Sequence, residues 1–170
     1  MAFTRLPPLG ADACRWEDRL RIASAEDRGA ELTPLGNGAT CAVEAGLARW
    51  LDQVVQPAAR THLGSPAVAL EHYGTYQCRR VGNSTDGRWS EHATGNAIDI
   101  SAVRLADGRR IVVQRDWIRQ GTPAATFLRT IRDGACPIFA TVLSPDYNRA
   151  HFDHFHLDQE PRAMGWSLCR

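Results

Sequence analysis

The chain predicts an α+β domain. Three observations carry that prediction: a stripe of apolar residues at helical spacing after Cys41, an Asp-Gly turn between two strand-like runs near residue 107, and a capped helix signal at Thr122-Pro123. At 170 residues, with 44% hydrophobic and 23% charged side chains, the sequence has material for one self-supporting core. No repeat, low-complexity tract or linker interrupts it.

Residues 1–40 read as an irregular arm, because Pro7, Pro8, Gly10, Gly29, Pro34, Gly36 and Gly38 punctuate them, with one short strand near Leu20–Ile22. The remaining residues, 41–170, read as the domain that this arm wraps. From Cys41 the residues Val43, Leu47, Trp50, Leu51, Val54 and Val55 place one stripe inward until Pro57 bends or restarts the helix over Ala58–His62. Short strands are expected at Pro66–Tyr73 and Thr75–Arg79, around Gly74, followed by a loop from Val81 to Trp89. Ala97–Leu105 and Arg110–Val113 flank Ala106-Asp-Gly-Arg109, a hairpin turn in which glycine accepts positive φ. Thr122 supplies an N-cap and Pro123 the first helical residue, Ala124, Phe127, Leu128 and Ile131 form an apolar face, and Gly134 is expected to stop the helix. Ile138–Leu143 and the segment beginning at His151 complete the strands, with a turn at Ser144–Asn148.

The formal charge is only +1, from 20 basic and 19 acidic residues that are interspersed. That pattern lacks the footprint of a nucleic-acid partner or a membrane surface. No run of about 18 apolar residues and no basic-then-apolar leader is legible, so neither a membrane span nor a signal peptide is expected from these residues. The five cysteines contain no C-x-x-C pair, which argues against a thiolate zinc knot. They fit disulfides in an oxidising compartment or buried free thiols, and the odd number leaves at least one without a partner in the chain.

Two segments concentrate the chemistry: Ser90-Glu-His-Ala-Thr-Gly-Asn-Ala-Ile-Asp99 and His151-Phe-Asp-His-Phe-His-Leu-Asp158. Four of the six histidines fall in them, beside Asp99, Asp153 and Asp158, an imidazole and carboxylate set suited to a borderline-soft divalent metal. An extended last segment would align His154, His156 and Asp158 on one face while Phe155 and Leu157 anchor the other in the core. Gly95 allows the tight turn that would bring His92 back toward Asp99. Two histidines and an aspartate leave a fourth metal position open for water. His151 reads as a neighbour of the site or a surface residue, His62 and His72 as structural, Trp50 as core, and Trp89 as core or the wall of a substrate groove.

These residues resemble the signature S-x-H-x-x-G-x-A-x-D of the metallopeptidase superfamily that unites lysostaphin-type endopeptidases, D-alanyl-D-alanine carboxypeptidases and the hedgehog domain. Ser90, His92, Gly95, Ala97 and Asp99 fill its fixed positions, and Asp153-His-Phe-His156 meets its second part. More closely, the phrases TYQCRR, SEHATGNAIDIS, DGACPIFATVL and PDYNRAHFDHFHLD resemble the extensin-like C-terminal domain of bacterial proteins, from about Cys41 to Cys169. The resemblance implies a hedgehog/D,D-peptidase-like fold, an antiparallel sheet carrying the metal with helices packed on one side. It implies one zinc per chain held by His92, Asp99 and His156, with Asp153 as first choice of general base and His154 as the rival. It also implies that Arg79 holds substrate and steadies the developing oxyanion, although Arg80 stands beside it. The activity implied is hydrolysis of amide bonds in peptidoglycan stem peptides or cross-bridges by a periplasmic or cell-envelope enzyme. A catalytically silent binding module and a closed structural metal site with His154 as fourth ligand are the alternatives.

Overall fold

The helical stripe forms as its spacing requires. In a computed structural model, which describes residues 2–22, 24–162 and 166–170, the chain runs β1 (Phe3–Arg5), β2 (Arg19–Ile22), α1 (Ala25–Arg28), β3 (Glu31–Thr33), β4 (Ala39–Thr40), α2 (Cys41–Trp50) and α3 (Gln56–Leu63). It continues through β5 (Ala67–His72), β6 (Ala97–Leu105), β7 (Arg110–Val112), α4 (Val113–Trp117), α5 (Pro123–Ala135), β8 (Thr141–Leu143), β9 (Phe155–Asp158) and β10 (Leu168–Cys169). Thr40 caps α2 through its hydroxyl, which accepts from the Val43 amide. Pro57 stands in the first turn of α3, where the α-helix restarts. A π-helical turn over Leu51–Val55 joins α2 to α3, with the Gln56 amide reaching back to Leu51, and this wider turn absorbs the donor that proline lacks.

The main sheet has the order β10-β8-β9-β6-β5-β3, with β7 pairing the far half of β6 beyond β9. The inner pairs are antiparallel, but both outer pairs, β3 with β5 and β10 with β8, are parallel. An all-antiparallel sheet is therefore corrected to a mixed one. The crossover through α2 and α3 separates β3 from β5, and a helical crossover returns the chain in the same direction. Ile98, Ile100, Phe155 and Leu157 pack with Trp50, Leu51, Phe127, Leu128 and Ile131 in one core. Asp99 and His156, between those apolar residues in the strands, leave the opposite face of the sheet for the site.

Residues 1–40 hold more structure than one strand. β1, β2 and β4 form a separate antiparallel sheet and β3 joins the main one. Strands of two to four residues carry too little alternation to be read locally. Thr75–Arg79 is not a strand: its backbone partners lie in the loop after Ser90, with the Gln77 amide donating to the His92 carbonyl at 2.9 Å and the Ser90 amide to the Arg79 carbonyl at 3.1 Å. Gly134 does not stop α5 but lies inside it, because a β-carbon there would stand 2.3 Å from Val54 Cγ1. Glycine allows the two helices to approach. The strand expected from Ile138 begins only at Thr141, after a turn in which Ile138 and Phe139 amides both reach the Ala135 carbonyl. The last strand begins at Phe155 rather than His151, because Asn148 caps a 3-10 turn over Arg149–His151.

Disulfides join Cys14 to Cys78 and Cys136 to Cys169, leaving Cys41 free and exposed. Among the described residues no helix is long and apolar enough to cross a membrane.

Candidate metal centre

Each fixed position of the first motif has a local task. The Ser90 hydroxyl accepts from the His92 amide and opens a 3-10 turn over Glu91–Thr94. Gly95 closes the turn at φ 66°, where a β-carbon would stand 2.4 Å from the Trp16 ring. The turn thus folds against the arm, and the chain enters β6 through the fully buried Ala97. Two residues later Asp99 lies opposite His156 of β9 in the antiparallel register.

The three side chains converge. His92 Nε2 is 3.2 Å from both Asp99 Oδ1 and His156 Nδ1, and His156 Nδ1 is 3.1 Å from Asp99 Oδ1. A tetrahedral site with bonds of about 2.0–2.1 Å has ligand-to-ligand edges of about 3.3 Å, so this triangle fits one face of such a site. Outer partners orient the rings. His92 Nδ1 faces the Thr75 carbonyl at 3.3 Å and His156 Nε2 faces Asp158 Oδ2 at 2.9 Å. Both outer nitrogens therefore carry protons, which leaves lone pairs on His92 Nε2 and His156 Nδ1 directed at Asp99. Three acceptor atoms this close need a cation between them. In the metal-free protein it is a proton: burial opposes the charge on His156, but hydrogen bonds to Asp158 and Asp99 outweigh it and raise the imidazole to about 9. Burial likewise opposes the charge on Asp99, yet the hydrogen bond from the charged His156 holds its carboxyl well below the usual range. A divalent metal fits the same place.

His154 and Asp153 form a second tier. The imidazole Nδ1 of His154 donates to Asp153 Oδ1 at 2.8 Å, and its Nε2 stands 3.6 Å from Asp99 Oδ1. The other oxygen of Asp153 accepts from the Tyr73 hydroxyl at 3.2 Å. The chain at Asp153 is a turn, not a strand, and both carboxylate oxygens are engaged away from the three converging atoms. His151 packs at a tilt against His154 and edge-on to His156, with ring centroids 5.2 Å and 6.0 Å away. Burial first, then the neighbouring His154 and His156, lower its imidazole to about 4.

A cleft of about 480 Å³ opens over this face, lined among others by Arg79, Arg88, Glu91, Tyr147, His151 and Arg162. Arg79 borders it, with Nε bonded to Gln77, whereas Arg80 turns aside to cover Trp89 at 4.4 Å. Trp89 is exposed and does not line the cleft. Trp50 is fully buried, its indole donating to the Ile131 carbonyl. His62 bonds Thr130 and the buried His72 bonds the Pro34 carbonyl, and neither is bonded to the three converging atoms. Thr75 and Asn148 lie in the quoted family phrases without a role being assigned, Tyr73 lies outside them, and the fold shows the part of all three in holding His92, His151, Asp153 and His154. Asp158 was legible as a member of the ligand face, but its bond to His156 was not.

The whole chain, residues 1–170, matches the family model described as extensin-like protein C-terminus. The match includes the arm as well as residues 41–169. A search of curated proteins and of solved structures finds no match. The chain belongs to the extensin-like C-terminal family.

Proposed function

We propose that this member of the extensin-like family is a zinc-dependent peptidase of the cell envelope that hydrolyses amide bonds in peptidoglycan stem peptides or cross-bridges. One observation carries the reading: three ligand atoms converge within 3.2 Å of one another on a sheet face that opens into a cleft. The donor set, two imidazoles and a carboxylate, suits a catalytic rather than a closed structural zinc. His92 and Asp99 on a turn and its following strand, with His156 on the paired strand, support a hedgehog/D,D-peptidase-like arrangement. Two disulfides support an oxidising location.

A divalent ion held by His92, Asp99 and His156 supplies Lewis acidity toward a carbonyl and makes water acidic near neutrality. His154 Nε2 is the base that takes the proton, being the open nitrogen nearest the ligand atoms. Asp153 stands behind it, holding the Nδ1 proton and steadying the imidazolium once formed. This arrangement favours His154 over Asp153 as the group that touches water, and makes Asp153 a positioning residue. Arg79 directs a cation into the cleft for a substrate carboxylate or a developing oxyanion.

Elemental analysis of protein purified without added metal tests the site, with about one zinc per chain expected in the wild type and none in His156→Ala. Zinc-loaded protein should release peptides from peptidoglycan fragments, with the rate lost in His154→Ala and reduced in Asp153→Ala. Zinc bound without hydrolysis would point instead to a binding module, and no zinc at all would overturn the reading.

A further inference from the structure

The site holds two imidazoles beyond the ligand pair, and they are backed by different groups. His154 Nδ1 faces a carboxylate, whereas His151 Nδ1 faces Asn148 Oδ1 at 2.8 Å. The orientation of that amide is determined, because the same Oδ1 also accepts from the Ala150 amide at 2.9 Å. The oxygen cannot donate, so His151 Nδ1 carries the proton and Nε2 presents a bare lone pair. Among the described residues Nε2 has no hydrogen-bond partner, and the ring lines the cleft beside His154. A carboxamide carries no charge and stabilises an imidazolium far less than a carboxylate does. His151 is therefore an acceptor and not a second proton shuttle.

We infer that His151 accepts a hydrogen bond from the N–H of the scissile amide, positioning that bond over the ligand triangle and selecting secondary amides as substrates. The inference rests on the peptidase reading and deepens it. A substrate with oxygen in place of that N–H offers no donor, so its handling should not depend on His151.

The test is a cycle of two substrates and three proteins, all zinc-loaded: a stem pentapeptide and its isostere with an ester at the scissile position, against wild type, His151→Phe and His151→Gln. Phenylalanine keeps the ring volume without an acceptor, and glutamine restores one. A neutral hydrogen bond of ordinary strength corresponds to a loss of about five- to tenfold in kcat/KM for the amide in His151→Phe, with the ester changed by less than about twofold and His151→Gln intermediate. Equal losses on both substrates would make His151 merely structural, and no loss on either would remove it from the reaction; each result overturns the inference alone. A zinc-loaded wild type that cleaves neither substrate would overturn the peptidase reading and this inference with it.

Discussion

Replacing Asp158 by asparagine should weaken zinc binding about 10- to 100-fold, or about 1.4–2.8 kcal/mol, without unfolding the protein. The magnitude follows from the bonds. Asp158 is 4% exposed, its Oδ2 accepts from His156 Nε2 at 2.9 Å, and its Oδ1 accepts from the Glu160 amide at 3.0 Å. In the variant the Glu160 amide retains the oxygen of the new carboxamide, so the NH2 group faces His156 Nε2. Two donors cannot share that line. The His156 proton must move to Nδ1, the atom aimed at the metal, or the outer hydrogen bond must be given up. A hydrogen bond to a charged group contributes about 1.5–3 kcal/mol, which agrees with the range expected from the loss of an outer partner. Competition titration with a chromophoric zinc chelator measures the affinity, and far-ultraviolet circular dichroism checks the fold. An affinity within threefold of wild type, with His156→Ala abolishing binding, would refute the reasoning, because His156 would then be oriented by something other than Asp158.

Three further outcomes follow from the same geometry. Since the imidazole of His156 is raised from its ordinary value to about 9 in the metal-free fold, its proton stabilises that fold fully below about pH 6.5, and the contribution is lost as pH rises through about 9. Zinc must displace this proton at pH 7, so calorimetry in buffers of different ionisation enthalpy should detect release of about one proton per zinc and tighter binding as pH rises toward 9. Gly95→Ala forces a β-carbon at φ 66° to within 2.4 Å of the Trp16 ring; urea denaturation should show a loss of about 1–3 kcal/mol or more, accompanied by weaker zinc binding. Gly134→Ala should destabilise by about 1–3 kcal/mol despite a helix propensity gain of about 1 kcal/mol, because of the 2.3 Å approach to Val54, and Val54→Ala in the same chain should recover much of it.

Much of this protein was written locally. Helical periodicity after Cys41, the Asp-Gly hairpin and the Thr122 cap are read from neighbours within one or two turns, and these elements form where the spacing places them. That His92, Asp99 and His156 converge was equally legible, since the Ser90–Asp99 turn and the Phe155–Asp158 alternation each encode which side chains share a face. Tertiary structure decided the remainder. Whether Gly134 ends a helix or admits a neighbour depends on Val54, eighty positions away in the chain, and not on its own flanks. Short strands of the arm exist only because distant partners complete their ladders. Asp153 and His154, adjacent in sequence, acquire different stations because the Tyr73 hydroxyl bonds the carboxylate while the imidazole Nε2 faces Asp99. A chain encodes side-chain direction over a few residues, but hydrogen-bond partners, tautomers and close approaches belong to pairs that meet only on folding.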